Sequence, residues 1–204
     1  MEDKYLFINK FSLSKEICND VIQMFEQQDE KHPGFTIGGV ATDVKDTFDY
    51  VIDKNNPKWY KYYNLLYSEL QRNIKEYIKS LNKDDFINNN DQNTKHTQYN
   101  FFEKELSFKT FQVQRYIKNT GRYIYHNDFA WDFVNKKHRV ITFIWYLNDV
   151  EEGGETAFNG TTFVKPETGK LVLFPATWTY PHCGRVPISS NKYIITGWIF
   201  TDSI

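Results

Sequence analysis

Two histidines and an aspartate stand at spacings that could hold a metal ion: His126 and Asp128, two apart, and His182, about fifty residues later. A basic residue, Lys192, follows ten positions after His182 on a strand-like segment. Two imidazoles and one carboxylate make a three-point site for a divalent ion and leave other positions open, where a substrate and an oxidant can bind. Nitrogen and oxygen donors without thiolate suit Fe(II), with Mn, Co or Ni as substitutes. A structural zinc site would want four ligands, usually including cysteine. His126-Asn127-Asp128 follows the strand-like segment Arg122 to Tyr125. Residues two apart on an extended chain project from one face, about 7 Å apart at Cα, so their tips can converge on one ion while Asn127 points away. The third ligand must come from another strand. His182, beside Pro181 and ahead of the run Cys183 to Ile188, is the candidate. His32, His96 and His138 are assigned to surface or incidental positions.

The rest of the composition narrows the class. A chain of 204 residues suits one domain and can bury a sizeable core. Aromatics make up 18%, so core and pocket should be rich in rings. A net charge of −1 gives no global field toward nucleic acid or acidic membranes. The longest basic cluster, Lys136, Lys137, His138 and Arg139, reads as a solvated loop, though it lies close enough to the metal motif to touch an anionic substrate. Cys18 and Cys183 form no disulfide framework, which points to a reducing compartment. Cys18 reads as a small core residue. Cys183 directly follows His182 and on a strand should face away from the metal, so it is rejected as a ligand. No secretory leader and no membrane-length apolar run is visible, and a soluble, cytoplasmic or intracellular protein is expected.

The elements that must position these residues fall into two halves. Tyr5 to Ile8 reads as a short strand. Ser14 opens a helix with Ile17, Val21, Met24 and Phe25 at helical spacing. The mixed segment from His32 to Ile52 reads as a loop plus an irregular extended stretch. After Pro57, the residues Trp59, Tyr63, Leu66, Leu70, Ile74, Tyr77 and Leu81 recur every three or four positions, which predicts one long amphipathic helix. Asn82 to Asn100, with Asn88, Asn89 and Asn90 in a row, reads as a surface loop, either a lid or a long connection.

β-Branched and aromatic runs follow at Thr110–Ile117, Val140–Leu147, Thr161–Val164, Leu171–Phe174 and Tyr193–Thr201. No helical pattern separates them, so a parallel βαβ sheet is not expected. Helices first and strands later imply an α+β fold: an antiparallel sandwich or open barrel with helices on one side. Thr196 and Trp198 share a face with Lys192 and Ile194 by alternation, so Trp198 is expected to line the pocket. Gly153, Gly154, Glu155 and Thr156 read as a turn closing a hairpin, not a phosphate loop.

Three stretches carry a family likeness: YIKNTGRYIYHND (116–128), RVITFIWYLNDVEEGGETAF (139–158) and HCGRVPISSNKYIITGW (182–198). Together they resemble the prolyl-4-hydroxylase-like branch of the 2-oxoglutarate- and Fe(II)-dependent dioxygenases, over roughly residues 110 to 201. The resemblance implies a double-stranded β-helix (jelly-roll or cupin-like), with N-terminal buttressing helices. It implies a single domain over 1–204, with helical buttress and loops at 1–108 and a catalytic β core at 109–204. It makes His126, Asp128 and His182 the iron ligands and pairs Lys192 with the distal carboxylate of 2-oxoglutarate, a dicarboxylate whose burial demands a compensating cation. Tyr116 and Tyr146 fall where relatives place tyrosines near the cosubstrate, and plain core packing is the competing role for each. Arg139 and Trp198 are the substrate-side candidates, with a structural ion pair as the alternative for Arg139.

The implied reaction hydroxylates an unactivated C–H bond with O₂ and 2-oxoglutarate, releasing succinate and CO₂, with ascorbate in support. A ligand carboxylate at Asp128 favours hydroxylation over halogenation. A prolyl residue in a peptide or protein is the leading substrate. A free amino acid or another small molecule is the alternative, and a non-catalytic metal- or protein-binding module is a third reading. Nucleic acid fits less well, because the chain is not basic.

Overall fold

The computed structural model describes residues 3–36, 38–81, 106–108, 110–133 and 136–202. The polar stretch 82–100, with its three consecutive asparagines and His96, lies outside them.

The first half supplies short strands and two helices. Strand β1 (Phe7–Asn9) leads into α1 (Lys15–Glu26). The helix begins where the Ser14 hydroxyl accepts the Ile17 N–H, a side-chain N-cap. The strands β2 (His32–Pro33), β3 (Phe35–Thr36), β4 (Gly39–Val40), β5 (Lys45–Asp46) and β6 (Phe48–Val51) then resolve the mixed segment into brief extended pieces. Helix α2 (Pro57–Leu81) starts with proline at its first position, behind Asn56, whose side chain accepts the Lys58 N–H.

The second half is all strand. Its elements are β7 (Leu106–Phe108), β8 (Gln112–Tyr116), β9 (Arg122–His126), β10 (Trp131–Asp132), β11 (Lys137–Tyr146), β12 (Thr156–Phe158), β13 (Thr162–Val164), β14 (Leu171–Pro175), β15 (His182–Gly184) and β16 (Lys192–Asp202). Every pairing between them is antiparallel. The larger sheet runs β1-β14-β11-β16-β8-β6-β2, with β10 and β7 added at its margins. The smaller runs β13-β12-β15-β9-β5.

Alternation along the large sheet divides the molecule into layers. On β11, Ile141, Phe143 and Trp145 face the helices and join a core with Val21, Phe25, Leu66 and Leu70. The intervening Ile144 and Tyr146 face the small sheet and pack with Phe158, Val172 and Phe174. The same parity holds on β8, where Val113, with Phe111 just ahead of the strand, joins the helix-side core while Tyr116 joins the inner one. Helices, large sheet and small sheet therefore stack in three layers, and the inward positions of β8, β11 and β16 share one interior with the small sheet.

Details depart from the expected pattern. The α2 stripe contains the fully buried Asn73, which bonds Asn9, Ser12 and Glu69 and ties the helix to the chain around β1. Lys137, His138 and Arg139 are not a solvated loop: they begin β11, because their backbone pairs with the far end of β16. The strand expected at Arg122 to Tyr125 runs on to His126, and the extended run after His182 stops at Gly184. No described helix is long and apolar enough to cross a membrane.

Where β16 crosses the aromatic layer, a Cβ on Gly197 would lie 2.6 Å from the Phe143 ring and 2.7 Å from the Thr110 carbonyl oxygen. Gly197→Ala is expected to overpack this point and lower the unfolding free energy by about 1–3 kcal/mol, measured by urea denaturation. An unchanged midpoint would show that the layer yields without cost.

Candidate metal centre

His126 ends β9 and His182 begins β15, and the two sit directly opposite each other in the ladder between these strands. Asp128 lies just beyond β9 and closes the triangle. One donor atom from each of the three lies within 4.8 Å of the others. His182 Nε2 is 3.5 Å from Asp128 Oδ2, and His126 Nε2 is 3.9 Å from Asp128 Oδ1.

The histidine tautomers follow from the backbone. His126 Nδ1 lies 2.8 Å from the Ile124 carbonyl and His182 Nδ1 lies 3.1 Å from that of Tyr180. A carbonyl can only accept, so each Nδ1 carries the proton and each Nε2 lone pair is turned to the shared centre. The Thr142 hydroxyl donates to Asp128 Oδ2 at 2.8 Å and orients the carboxylate. Burial, reinforced by the neighbouring His182, drives the His126 pKa down to about 4, so the ring is a neutral donor. Burial alone would raise Asp128, but His182, His126 and the Thr142 hydroxyl together hold it below its ordinary value. Two imidazoles and a carboxylate, all turned to one centre, fit a divalent iron.

The triad opens on a cavity of about 380 Å³ between the sheets. Lys192, at the start of β16, lines it together with Ile194, Thr196 and Trp198, the face that alternation implied. The lysine is 1% exposed. Its ammonium donates to the Gly154 carbonyl at 3.0 Å and lies 3.9 Å from the centre of the Tyr116 ring. Gly154 reaches this position from a turn in which Gly153 and Gly154 have φ of 72° and 75°, a region open to glycine. No carboxylate among the described residues forms an ion pair with Lys192, and burial lowers its pKa to about 7.

The structure sorts the remaining candidates. Tyr116 lines the cavity, and its hydroxyl donates to Gln114. Tyr146 does not line it: its hydroxyl donates at 2.6 Å to Thr156, and Thr156 is the residue facing the cavity. Cys183 pairs across from Ala157, next in sequence to His182 and outside the triad. Asn127, expected to point away, borders the cavity because the strand ends at His126; its side-chain Oδ1 accepts the Phe129 N–H in a tight turn. Arg139 and Trp198 both line the cavity, with the guanidinium 3.6 Å above the indole ring.

Several neighbours went unread in the sequence. Tyr123 stacks on His126 at 3.5 Å, with 15° between the rings. Lys45 lines the cavity and pairs with Asp49 at 2.6 Å, both buried. Gln112 and Gln114 flank the buried Val113 on β8, and that alternation was a usable signal. For Lys45 and Asp49, in a segment without periodicity, there was none.

Residues 111–200 match the model of the 2OG-Fe(II) oxygenase superfamily. No curated protein matches the chain by sequence. Among solved structures, the chain resembles a viral collagen prolyl hydroxylase from Paramecium bursaria Chlorella virus-1, in complex with 2-oxoglutarate (TM-score 0.66, 20% identity, 97% of this chain and 96% of that one). It also resembles a Pseudomonas putida prolyl-4-hydroxylase (TM-score 0.63, 17% identity, 95% and 91% covered). A third likeness is a Trichoplax adhaerens prolyl hydroxylase in complex with a hypoxia inducible factor oxygen degradation domain peptide fragment (TM-score 0.67, 18% identity, 97% and 84% covered). Over residues 111–200 the chain resembles the 2-oxoglutarate- and Fe(II)-dependent oxygenases, and its fold and donor triad agree with that likeness. Its resemblance is to the prolyl-4-hydroxylase-like branch.

Thr142→Val keeps the shape of the side chain and removes the hydroxyl on Asp128. It is expected to weaken Co(II) binding roughly ten- to a hundredfold, measured by calorimetry. Unchanged affinity would detach Asp128 from the metal.

Proposed function

We propose that this protein hydroxylates an unactivated C–H bond of a prolyl residue in a peptide or protein. In this reading His126, Asp128 and His182 hold Fe(II). The carrying observation is the cavity itself: three side chains able to hold a metal ion, and a buried lysine without a carboxylate partner among the described residues, line one space of about 380 Å³. A buried ammonium is expensive unless an anion joins it, and 2-oxoglutarate is a dicarboxylate that could reach from the triad to Lys192.

Bound iron, 2-oxoglutarate and O₂ supply the oxidising chemistry, with succinate and CO₂ as co-products. The chain's own residues bind and orient. The Ile124 and Tyr180 carbonyls fix both imidazoles, and Thr142 fixes Asp128. Lys192 and Tyr116 receive the distal carboxylate, with Tyr146 supporting the wall through Thr156. Trp198 and Arg139 stand on the substrate side. No side-chain acid or base is required. A single domain over 1–204 belongs to this reading, supported by Phe35, Thr36 and Lys45 from the first half lining the same cavity as residues from the second. The prolyl substrate is supported by the prolyl hydroxylases the chain resembles, one of them in complex with a peptide fragment. A free amino acid is the second reading.

Lys192→Ala is expected to raise the 2-oxoglutarate dissociation constant roughly a hundredfold or more. Mn(II) affinity should move far less. Equal loss of both would remove Lys192 from its role.

The direct test is mass spectrometry of a proline-containing peptide panel incubated with the protein, Fe(II), 2-oxoglutarate, ascorbate and air, with succinate measured alongside. A peptide gaining one oxygen at proline only when 2-oxoglutarate is present is the expected result. Succinate without peptide oxidation would move the substrate to the small-molecule class.

A further inference from the structure

Away from the metal, the cavity wall is rich in hydrogen-bond donors and short of acceptors. Asp49 is fully buried and takes four donors: Lys45 at 2.6 Å, Thr47 at 2.8 Å, Gln112 at 3.1 Å and Gln114 at 3.3 Å. The amide oxygens are engaged as well. Gln112 accepts from Gln114, and Gln114 accepts from Tyr116. The donors are not exhausted. An ammonium has three N–H groups and Lys45 spends one on Asp49. The Gln112 amide has two and likewise spends one on Asp49. The buried Trp198 indole N–H has no partner among the described residues. The Arg139 guanidinium makes no hydrogen bond to a described residue, and its central carbon lies 3.6 Å from the centre of the Trp198 ring.

These donors occupy one stretch of wall. Lys45 and Gln112 share the same Asp49 oxygen. Gln112, Arg139 and Trp198 all border a second cavity of about 310 Å³ as well as the metal cavity, so they stand where the two spaces meet. Charge points the same way. Lys45 and Asp49 cancel, and Asp128 serves the metal in the proposed function. Arg139 is left as a half-buried cation that Asp128 and Asp132 influence electrostatically without bonding it.

We infer that the primary substrate carries a carboxylate beside its reacting residue, received at this junction by Arg139 and Gln112, with Lys45 and the Trp198 N–H adjacent. A planar guanidinium already immobilised on a ring binds a carboxylate through two parallel N–H groups at little entropic cost. The inference rests on the proposed prolyl oxygenase reading and refines it. The carboxylate belongs either to an acidic residue flanking the proline or to the α-carboxylate of the substrate itself.

The test uses the full chain loaded with Mn(II) and 2-oxoglutarate, and calorimetric binding of four probes. These are acetyl-prolinamide, acetyl-proline, and acetyl-prolyl-aspartyl and acetyl-prolyl-asparaginyl amides. The wild type should bind one carboxylate probe about tenfold or more tighter than its neutral counterpart. Preference for acetyl-proline assigns the α-carboxylate, and preference for the aspartyl probe assigns the flanking side chain. Arg139→Gln and Gln112→Leu should each remove most of that advantage while leaving 2-oxoglutarate affinity in place. Lys45 is kept, because removing it would strand the buried Asp49. Equal binding of acidic and neutral probes, an advantage that survives both substitutions, or no binding of any probe to the wild type overturns the inference. Acidic probes that bind with this dependence but are not oxidised at proline would overturn the prolyl reading alone. Peptides oxidised without regard to charge would uphold that reading and overturn this one.

Discussion

The site depends on one register. His182 lies across from His126 in the ladder between β15 and β9, two strands separated by more than fifty residues of chain. A slip of one residue in an antiparallel pair turns every side chain to the opposite face. It would aim Cys183 inward and carry the imidazole out. The register is held from both sides. β12 pairs β15 on its other edge, with Phe158 opposite His182, and β5 pairs β9. Phe158 and Phe174 also enclose the His182 ring, at centroid distances of 5.7 and 4.8 Å. The donor triangle thus follows from strand pairing and aromatic packing before any metal is considered.

Much of this was legible because alternation along a strand is a local property. Lys192, Ile194, Thr196 and Trp198 could be placed on one face from their spacing, and the structure puts all four on the cavity. The helix starts at Ser14 and Pro57 carried their own capping chemistry. What escaped was non-local. Tyr146 obeys the inward parity of β11, but Thr156 arrives from another strand and screens it. The cluster Lys136 to Arg139 looked like a loop because its charges mask the pairing partner, which lies sixty residues onward at the far end of β16. Lys45 and Asp49 sit in strands too short to show a period.

Burial assigns different work to the two lysines of the cavity. Lys45 is neutralised by Asp49, so its ammonium is a fixed, charged hydrogen-bond donor inside a pair of zero net charge. Among the described residues, Lys192 meets a carbonyl and the face of a ring. Its charge is destabilised by burial until an anion arrives, and the gain on pairing is correspondingly large.

The sheets also bind the two halves of the chain in a way that composition hides. β1 covers the outer edge of β14, β6 covers β8, and β5 covers β9. A fragment beginning at residue 109 would keep every donor of the metal triad and yet bare four rows of unpaired backbone N–H and C=O groups, the fourth on the end of β16 that β7 covers. Such rows recruit strands from other molecules. The first fifty residues therefore act as selvedges on the strand fabric, and trimming them would yield self-associating chains before it yielded a smaller working unit.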